Sequence, residues 1–262
     1  MLGFLGRGFV AWSRESAAMV MLPYAAMKGA VLERGRGGRL VVSQVAAQIY
    51  FTAVEPLPIL LTIAVTCGFF AVVLCDFLMR PNGLAPYVPT VIAHATVREI
   101  VPLVIAVILI GRSGTAIATE LGYMRVNQEV DALDASGVNV DYFLVLPRLI
   151  GVTLSAVALT IAMSAAAILG GFFLGEGLRL VSVGLHLSQI TVAIGPWVCA
   201  LALGKAAIFG LVIATVSCFH GLSVGRSFTE IPRANVRGAV QCYLACFALN
   251  AVISVYALSR LS

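Results

Sequence analysis

Apolar residues dominate five long stretches of the chain, and short polar or charged intervals separate them. The stretches cover about residues 57–78, 90–118, 149–174, 190–219 and 239–258. Each is about 20 residues long or longer, which is the length that a helix needs to cross the hydrocarbon core of a bilayer. The pattern therefore predicts five membrane-spanning helices.

The region before the first stretch has a different, amphipathic pattern. Its apolar residues recur at roughly helical spacing, and Arg7 and Arg14 lie seven residues apart. We expect residues 1–27 to form an amphipathic helix in the membrane interface, because these charges would interrupt the apolar core of a signal peptide. Residues 1–50 are therefore predicted to be an interfacial and cytoplasmic region, and residues 51–262 the membrane domain.

The composition supports a membrane protein, and the distribution of charge predicts its orientation. Hydrophobic residues make up 60% of the chain and charged residues 11%, whereas soluble domains contain about one quarter charged residues. The net charge of +5 does not indicate nucleic-acid binding, because the basic residues are not clustered on one soluble face. Twelve basic residues belong to the polar segments on one predicted side of the membrane. Three belong to the segments on the other side, namely Arg80, Arg179 and Arg260. The positive-inside rule then places the N-terminus in the cytoplasm and the C-terminus outside.

The polar interval over residues 120–138 cannot span a membrane. Val126, Val130 and Leu133 would form an apolar stripe on a helix of about four turns, and Gly137 stands where a C-terminal cap is expected. The interval also carries a set of charged residues, namely Glu120, Arg125, Glu129, Asp131 and Asp134. From the pattern alone, this helix is either an ordinary amphipathic loop or a cytoplasmic surface on which another protein docks.

Ionisable residues inside the apolar stretches are further candidates for function, because a charge in a membrane is costly. Glu99 lies thirteen residues before Arg112, and Lys205 lies fifteen residues before His220. If Arg112 and His220 both mark the cytoplasmic interface, a rise of about 1.5 Å per residue places Glu99 and Lys205 at similar depth. They could pair and leave Arg98 as surplus positive charge for a lipid phosphate, or form an ion pair that only fixes helix packing. Because Arg98 and Glu99 are adjacent, we expect them to point to different sides of the helix and to need different partners.

Small residues in the third stretch predict a face on which helices pack. Gly170, Gly171 and Gly175 include a GxxxG pair. Residues without large side chains let two helix backbones approach closely in lipid, where the hydrophobic effect cannot drive association. The sequence does not indicate whether this face packs inside one chain or between two copies.

Other polar residues leave two further functions open. We expect Arg112 and Arg148, which end apolar stretches, to be anchors that snorkel to the interface. The six cysteines and three histidines show no metal-ligand spacing, so no metal site is predicted. The tetrad Gly111-Arg112-Ser113-Gly114 resembles the GxSG motif of rhomboid proteases, and His220 could lie at a similar height as its base. An intramembrane serine hydrolase using Ser113 is therefore one alternative. A gradient-driven secondary transporter is the other, although the chain shows no internal repeat.

A longer pattern resembles one family of membrane proteins. Residues 98–148 have the sequence REIVPLVIAVILIGRSGTAIATELGYMRVNQEVDALDASGVNVDYFLVLPR. They resemble the signature region of MlaE (YrbE) family permeases, which has Arg-Glu-x-x-Pro, then Gly-Arg-x-Gly-(Ser/Thr)-Ala-x-x-x-Glu-(Leu/Ile)-Gly, a Met-(Lys/Arg) pair and a Pro-Arg end. The stretch Cys67-Gly68-Phe69-Phe70 in the first span departs from the glycine-rich pattern of the family, which leaves the subfamily and the exact substrate open.

The resemblance implies the permease of an ABC-type transporter for phospholipids or related lipids in the bacterial inner membrane. Its fold would be an all-α integral membrane protein with an N-terminal interfacial helix, five transmembrane helices and a cytoplasmic coupling helix over about residues 120–137. The implied partners are a second copy of the chain, cytoplasmic ATPases that bind ATP and Mg²⁺, an outer MCE-domain protein and a small STAS-type accessory subunit. The chain itself has no GxxxxGK(S/T) motif, because Ala206 follows Gly204-Lys205, so it is expected to be a non-enzymatic subunit without its own cofactor.

Overall fold

The computed structural model describes residues 19, 21–29, 38–79, 81–83, 87–177 and 195–259, and within these residues it contains helices and turns but no strand. Among them, five helical runs are long and apolar enough to cross a membrane: Gly38–Met79, Thr90–Val126, Asp141–Gly175, Pro196–Leu222 and Phe228–Ala257. The predicted all-α membrane fold with five spans is confirmed.

The structure describes the following α-helices, and short segments of different geometry interrupt several of the membrane-spanning runs. The α-helices are α1 (Gly38–Ile49), α2 (Leu57–Met79), α3 (Val88–Ala93), α4 (Val101–Leu109), α5 (Thr115–Val126), α6 (Glu129–Ala135), α7 (Leu146–Gly177), α8 (Pro196–Leu222) and α9 (Ile231–Ser259). The described residues also include π-helical segments at Tyr50–Val54, His94–Ile100, Ile110–Gly114 and Asp141–Val145. Such wider turns within α-helices are rare and frequently occur at functional sites.

Some predicted elements lie partly outside the described residues. Of the amphipathic helix predicted over residues 1–27, only Met19 and residues 21–27 are among the described residues, and these are helical. Residues 178–194, which include the start of the predicted fourth span, also lie outside them. The last helix begins at Ile231, earlier than the predicted start near residue 239. A proline, Pro232, is compatible with this start because the first turn of a helix does not need its backbone donor.

The chain divides into two compact units. The first comprises Met1–Ile49, Leu109–Val152 and Leu211–Leu244. Within it, α5 packs closely against α8 and α9 through two glycines. A Cβ atom at Gly221 would lie 2.9 Å from the carbonyl oxygen of Ala118, and one at Gly122 would lie 3.3 Å from side-chain carbons of Val224 and Ile231. The absence of these Cβ atoms therefore permits the close approach.

The second unit comprises Tyr50–Ile108, Thr153–Gly210 and Ala245–Ser262. Its buried apolar cluster is formed by Val72, Val88, Ile92, Ala93, Val97, Ile168, Phe172, Val198 and Ala202. Large apolar side chains also remain exposed on its helices, including Phe70, Phe77 and Val252. Exposed apolar residues on long apolar helices are expected where lipid rather than water surrounds the protein.

Backbone contact between α2 and α7 occurs within the second unit. A Cβ atom at Gly171 would lie 2.6 Å from the carbonyl carbon of Gly68, and one at Gly68 would overlap the carbonyl oxygen of Ala167. Gly170 lies against the side chain of Val65, and Gly175 is buried. The partner of the glycine face is thus the stretch around Gly68, which sequence reasoning noted only as a departure from a family pattern.

Candidate functional site

The buried charges of the second unit meet at Lys205. The Nζ atom of Lys205, on α8, donates hydrogen bonds to Glu99 Oε2 at 2.8 Å, to Ser254 Oγ at 2.8 Å and to the carbonyl oxygen of Arg98 at 3.3 Å. Arg98 and Glu99 lie in the π-helical segment His94–Ile100, and Ser254 lies on α9. The structure therefore brings Glu99 and Lys205 together, as their positions along two helices suggested.

Glu99 also contacts its neighbour Arg98. Arg98 Nε lies 3.1 Å from Glu99 Oε1, an ion-pair distance without the alignment of a hydrogen bond. The expectation that these two residues need different partners is therefore wrong. Because a π-helix has more residues per turn than an α-helix, consecutive side chains diverge less around its axis, and adjacent residues can share a site.

Two residues of α9 complete the surroundings of the Glu99 carboxylate. Ser254 Oγ donates to Glu99 Oε2 at 2.6 Å, and Asn250 Nδ2 lies 3.5 Å from the same atom. The carbonyl oxygen of Ser254 accepts a 3.4 Å hydrogen bond from Arg98. Sequence reasoning did not find either residue, because a single serine or asparagine in an apolar stretch carries no distinctive spacing.

This cluster of Arg98, Glu99, Lys205 and Ser254 carries a surplus positive charge. The exposed fraction of the side chain is 0% for Lys205 and 7% for Arg98, whereas Glu99 retains 33%. Two cations therefore share one carboxylate in an apolar surrounding, where an uncompensated charge is costly. An anion that reached the partly exposed carboxylate would be attracted by the two cations beside it.

The polar interval of the first unit forms two helices instead of the single helix of about four turns that the pattern predicts. α5 ends at Val126, Gln128 adopts a left-handed conformation with φ of 61°, and α6 then begins. Arg125 and Asp131 form an ion pair across this corner. The two residues therefore bind each other. The sequence did not predict this contact, because residues six apart are not neighbours on one continuous α-helix.

Helix α6 carries one buried apolar residue among exposed acidic residues. Val130 is 6% exposed, while Glu129, Asp131 and Asp134 are all exposed. Within the described residues, the carboxylates of Glu129 and Asp134 make no hydrogen bond or ion pair. The helix ends at the predicted cap, where Gly137 has φ of +77° and its N–H donates to the carbonyl oxygen of Asp134 at 3.0 Å.

Glu120 and Arg148 form an ion pair that the sequence analysis did not predict. Arg148, near the start of α7, donates from Nη2 to Glu120 Oε1 at 2.8 Å and from Nη1 to the carbonyl oxygen of Leu144 at 2.6 Å. The side chain of Arg148 is 9% exposed. The expectation that it snorkels to the interface is therefore wrong, because its guanidinium stays buried and binds the carboxylate of Glu120 and the carbonyl oxygen of Leu144.

The residues required for a serine hydrolase are not brought together. Ser113 is fully buried, and its Oγ atom makes no hydrogen bond within the described part of the chain. His220 instead lies with Nε2 at 2.8 Å from Gln241 Oε1. A nucleophilic serine needs an adjacent base, so this geometry does not favour the hydrolase alternative. Among the described residues, no group of three or more His, Cys, Asp or Glu side chains could hold a metal ion.

Comparison with known proteins identifies the family. The family model described as "Permease MlaE" matches residues 45–256. The chain belongs to the MlaE permease family. The matched range includes both the buried cluster around Lys205 and the two-helix segment α5–α6. The resemblance found over residues 98–148 thus extends over most of the chain.

Several curated relatives agree with this membership in the MlaE family. The chain is 27% identical to a probable ABC transporter permease protein of Rickettsia bellii, over 82% of this chain and 83% of the relative. It is 25% identical to the intermembrane phospholipid transport system permease protein MlaE of Haemophilus influenzae, over 62% of this chain and 63% of the relative. It is 26% identical to protein TRIGALACTOSYLDIACYLGLYCEROL 1, chloroplastic, of Arabidopsis thaliana, over 66% of this chain but only 50% of that longer protein.

Proposed function

We propose that this MlaE-family chain is the membrane-embedded permease subunit of an ABC-type transporter, which moves phospholipids or related lipids between the inner membrane and an MCE-domain protein. The family match over residues 45–256 carries the proposal. The names of the Rickettsia and Haemophilus relatives support it, since they describe ABC and phospholipid transport permeases. Because the sequence has no nucleotide-binding motif, a separate ATPase would hydrolyse ATP with Mg²⁺, and the chain would be a transporter subunit rather than an enzyme.

The cluster around Lys205 supports the lipid side of this proposal. A phospholipid carries an anionic phosphate, and the cluster combines two buried cations with one partly exposed carboxylate. Charges inside a membrane protein generally mark substrate pathways or structural pairs. We assign Lys205 and Glu99 to a fixed pair and Arg98 to the surplus charge that attracts the lipid phosphate.

Helix α6 supports the ATPase side of the proposal. Its exposed acids, Glu129 and Asp134, have no partner within the described residues, whereas Val130 is buried and packs the helix against the protein. Unpaired carboxylates fit a partner surface that carries lysines or arginines, since complementary charge guides association. We therefore assign docking to Glu129 and Asp134, and assign internal roles to Glu120, Arg125 and Asp131, which already have ion-pair partners.

The proposed assembly contains two copies of the chain. ATPases would bind on the cytoplasmic side and an MCE-domain protein on the outer side, with a small STAS-type subunit as a further partner. The distribution of Lys and Arg supports a cytoplasmic N-terminus and a periplasmic C-terminus. Closure of the ATPases would push on α6 and α5, and Glu120 belongs to the same helical run, Thr90–Val126, as Glu99.

Affinity purification in mild detergent tests this function. An ATP-binding subunit, an MCE-domain protein and bound phospholipid should co-purify with the tagged chain, as identified by mass spectrometry. Purification of the chain without an ATP-binding subunit would contradict the proposal. The variant Ser113→Ala distinguishes the hydrolase alternative, because lipid transfer should persist in this variant if Ser113 is not a nucleophile.

A further inference from the structure

Arg148 joins three segments of the first unit. Its guanidinium binds the carbonyl oxygen of Leu144, which belongs to the π-helical segment Asp141–Val145, and the carboxylate of Glu120 on α5. Arg148 itself lies in the first turn of α7. Because the side chain is 9% exposed, these two contacts largely determine where the guanidinium lies. A single buried cation thus fixes α5 to the beginning of α7.

Helix α5 is fixed on another side by a neutral contact. Asn235 Nδ2, on α9, donates a 2.6 Å hydrogen bond to Thr119 Oγ1. Thr119 and Glu120 are consecutive residues of α5, so their side chains diverge around the helix and reach two different neighbours. Helix α5 is therefore connected laterally to both α7 and α9 at the same level.

The connection continues from α5 into α6. Arg125 and Asp131 form an ion pair across the corner at Gln128, and the buried side chain of Val130 holds α6 against the protein. The first turn of α6 is also hydrogen-bonded to the corner, because Ala132 N–H donates to the carbonyl oxygen of Gln128 at 3.0 Å. A displacement of α6 would therefore carry α5 with it, and the contact between Glu120 and Arg148 would pass the displacement to α7.

The two residues of the Glu120–Arg148 pair respond differently to removal of their partner. Glu120 has a side chain that is 58% exposed, so it remains hydrated without Arg148. Arg148 is buried, so it would become an uncompensated charge without Glu120, which is strongly unfavourable. Replacing both residues with apolar side chains removes this penalty. The double apolar variant can therefore fold without a buried, unpaired charge, and any remaining defect in it reports on the coupling between α5 and α7.

We propose that Arg148 is a positioning residue that couples movement of the two-helix segment α5–α6 to helix α7 through Glu120. This inference rests on the proposed function, because it takes α6 as the element on which the ATPase acts. It adds a specific route by which that action reaches a membrane-spanning helix. A pair that served only packing would instead be dispensable once an apolar pair replaced it.

The first test compares Arg148→Met and the double variant Arg148→Met/Glu120→Leu with the wild-type complex in phospholipid nanodiscs. Both variants should retain the ATPase and hydrolyse ATP, but the lipid transferred per ATP should fall about ten-fold, which lies within the usual range of coupling between sites. Arg226→Met is the matched control, because Arg226 is exposed and makes no ion pair within the described residues. Wild-type transfer per ATP by the double variant would overturn the role of Arg148.

The second test measures hydrogen exchange in the full-length chain alone, in detergent. Amides of α5 and α6 should exchange about ten-fold faster in Arg148→Met than in the wild type, because local opening becomes easier, whereas those of α8 should not change. Unchanged exchange in α5 and α6 would overturn the inference independently of the ATPase. A wild-type chain that binds no ATPase would instead contradict the proposed function and leave the exchange result to decide the role of Arg148.

Discussion

Lys205 in the second unit and Glu129 in the first show two different uses of charge in one membrane protein. Lys205 has no exposed side-chain surface and binds Glu99 and Ser254, whereas Glu129 is exposed and unpaired within the described residues. A buried charge must be satisfied inside the protein, because removal from water costs several kcal/mol. An exposed charge keeps its hydration and remains available to bind another protein. The comparison therefore separates charges that hold the bundle from charges that can recognise another protein.

The largest effect is expected when the carboxylate of the buried cluster is removed. Glu99→Gln leaves the cations of Arg98 and Lys205 without their counter-charge, so the free energy of unfolding should fall by about 3–5 kcal/mol. Unfolding in mixed detergent micelles measures this loss. The matched variant Glu129→Gln removes an exposed, unpaired carboxylate and should change the same free energy by no more than about 0.5 kcal/mol. Equal effects of the two substitutions would contradict the comparison.

A smaller loss is expected where the second unit depends on backbone contact. Gly68→Ala places a methyl group against the carbonyl oxygen of Ala167, so α2 and α7 must separate. Such overpacking should lower the free energy of unfolding by about 1–3 kcal/mol. Gly204→Ala is the control, because a Cβ atom there meets nothing within 4 Å. If both variants unfolded at the same denaturant concentration, close packing of α2 and α7 would not stabilise the unit.

Removal of Lys205 should separate the stability of the cluster from its affinity for lipid. Lys205→Met leaves Arg98 and Glu99 as a neutral pair, so it should destabilise the protein less than Glu99→Gln, which leaves two cations. The amount of anionic phospholipid retained after purification should nevertheless fall several-fold, because the surplus charge is gone. Quantitative lipid mass spectrometry measures this ratio. Undiminished lipid in Lys205→Met would show that the surplus charge does not bind phosphate.

The smallest effect is expected for the exposed acidic residues of α6. The double variant Glu129→Gln/Asp134→Asn should leave unfolding unchanged and weaken retention of the ATPase by about ten-fold or less, because exposed charge pairs each contribute up to about 1 kcal/mol. Added salt should weaken the wild-type complex and have less effect on the variant. Arg226→Gln again serves as the exposed control. A loss of ATPase that did not depend on salt would argue against an electrostatic docking surface.

Periodicity predicts well those features that depend on neighbours along the chain. The five spans follow from the length of the apolar stretches, and the cap at Gly137 follows from its position after a periodic segment. The proximity of Glu99 and Lys205 follows from counting helical rise to two residues assumed to mark one interface. The span lengths and the cap depend on regular α-helical geometry, whereas the count from Glu99 to Arg112 crosses two π-helical segments and gives only an approximate depth.

The contacts that were missed depend on irregular backbone or on distant residues. The π-helical segment at Arg98 and Glu99 and the left-handed corner at Gln128 break the regular geometry on which spacing depends. Ser254 and Arg148 acquire their contacts only when distant helices pack. No sequence pattern distinguishes Ser254 from other helix serines, and the Pro-Arg end of the family signature includes Arg148 without indicating its partner. Periodicity therefore predicts the helices, and tertiary packing determines which of their polar residues come into contact.

Photo-crosslinking in intact membranes tests the central claim most directly. A photoreactive amino acid replaces the exposed residue Asp134 of α6, and a second variant carries it at Val252, which is exposed on the apolar surface of α9. The account predicts that the probe at position 134 crosslinks to an ATP-binding subunit and that the probe at position 252 does not. Crosslinking of position 134 to lipid, with no ATP-binding subunit captured, would contradict it.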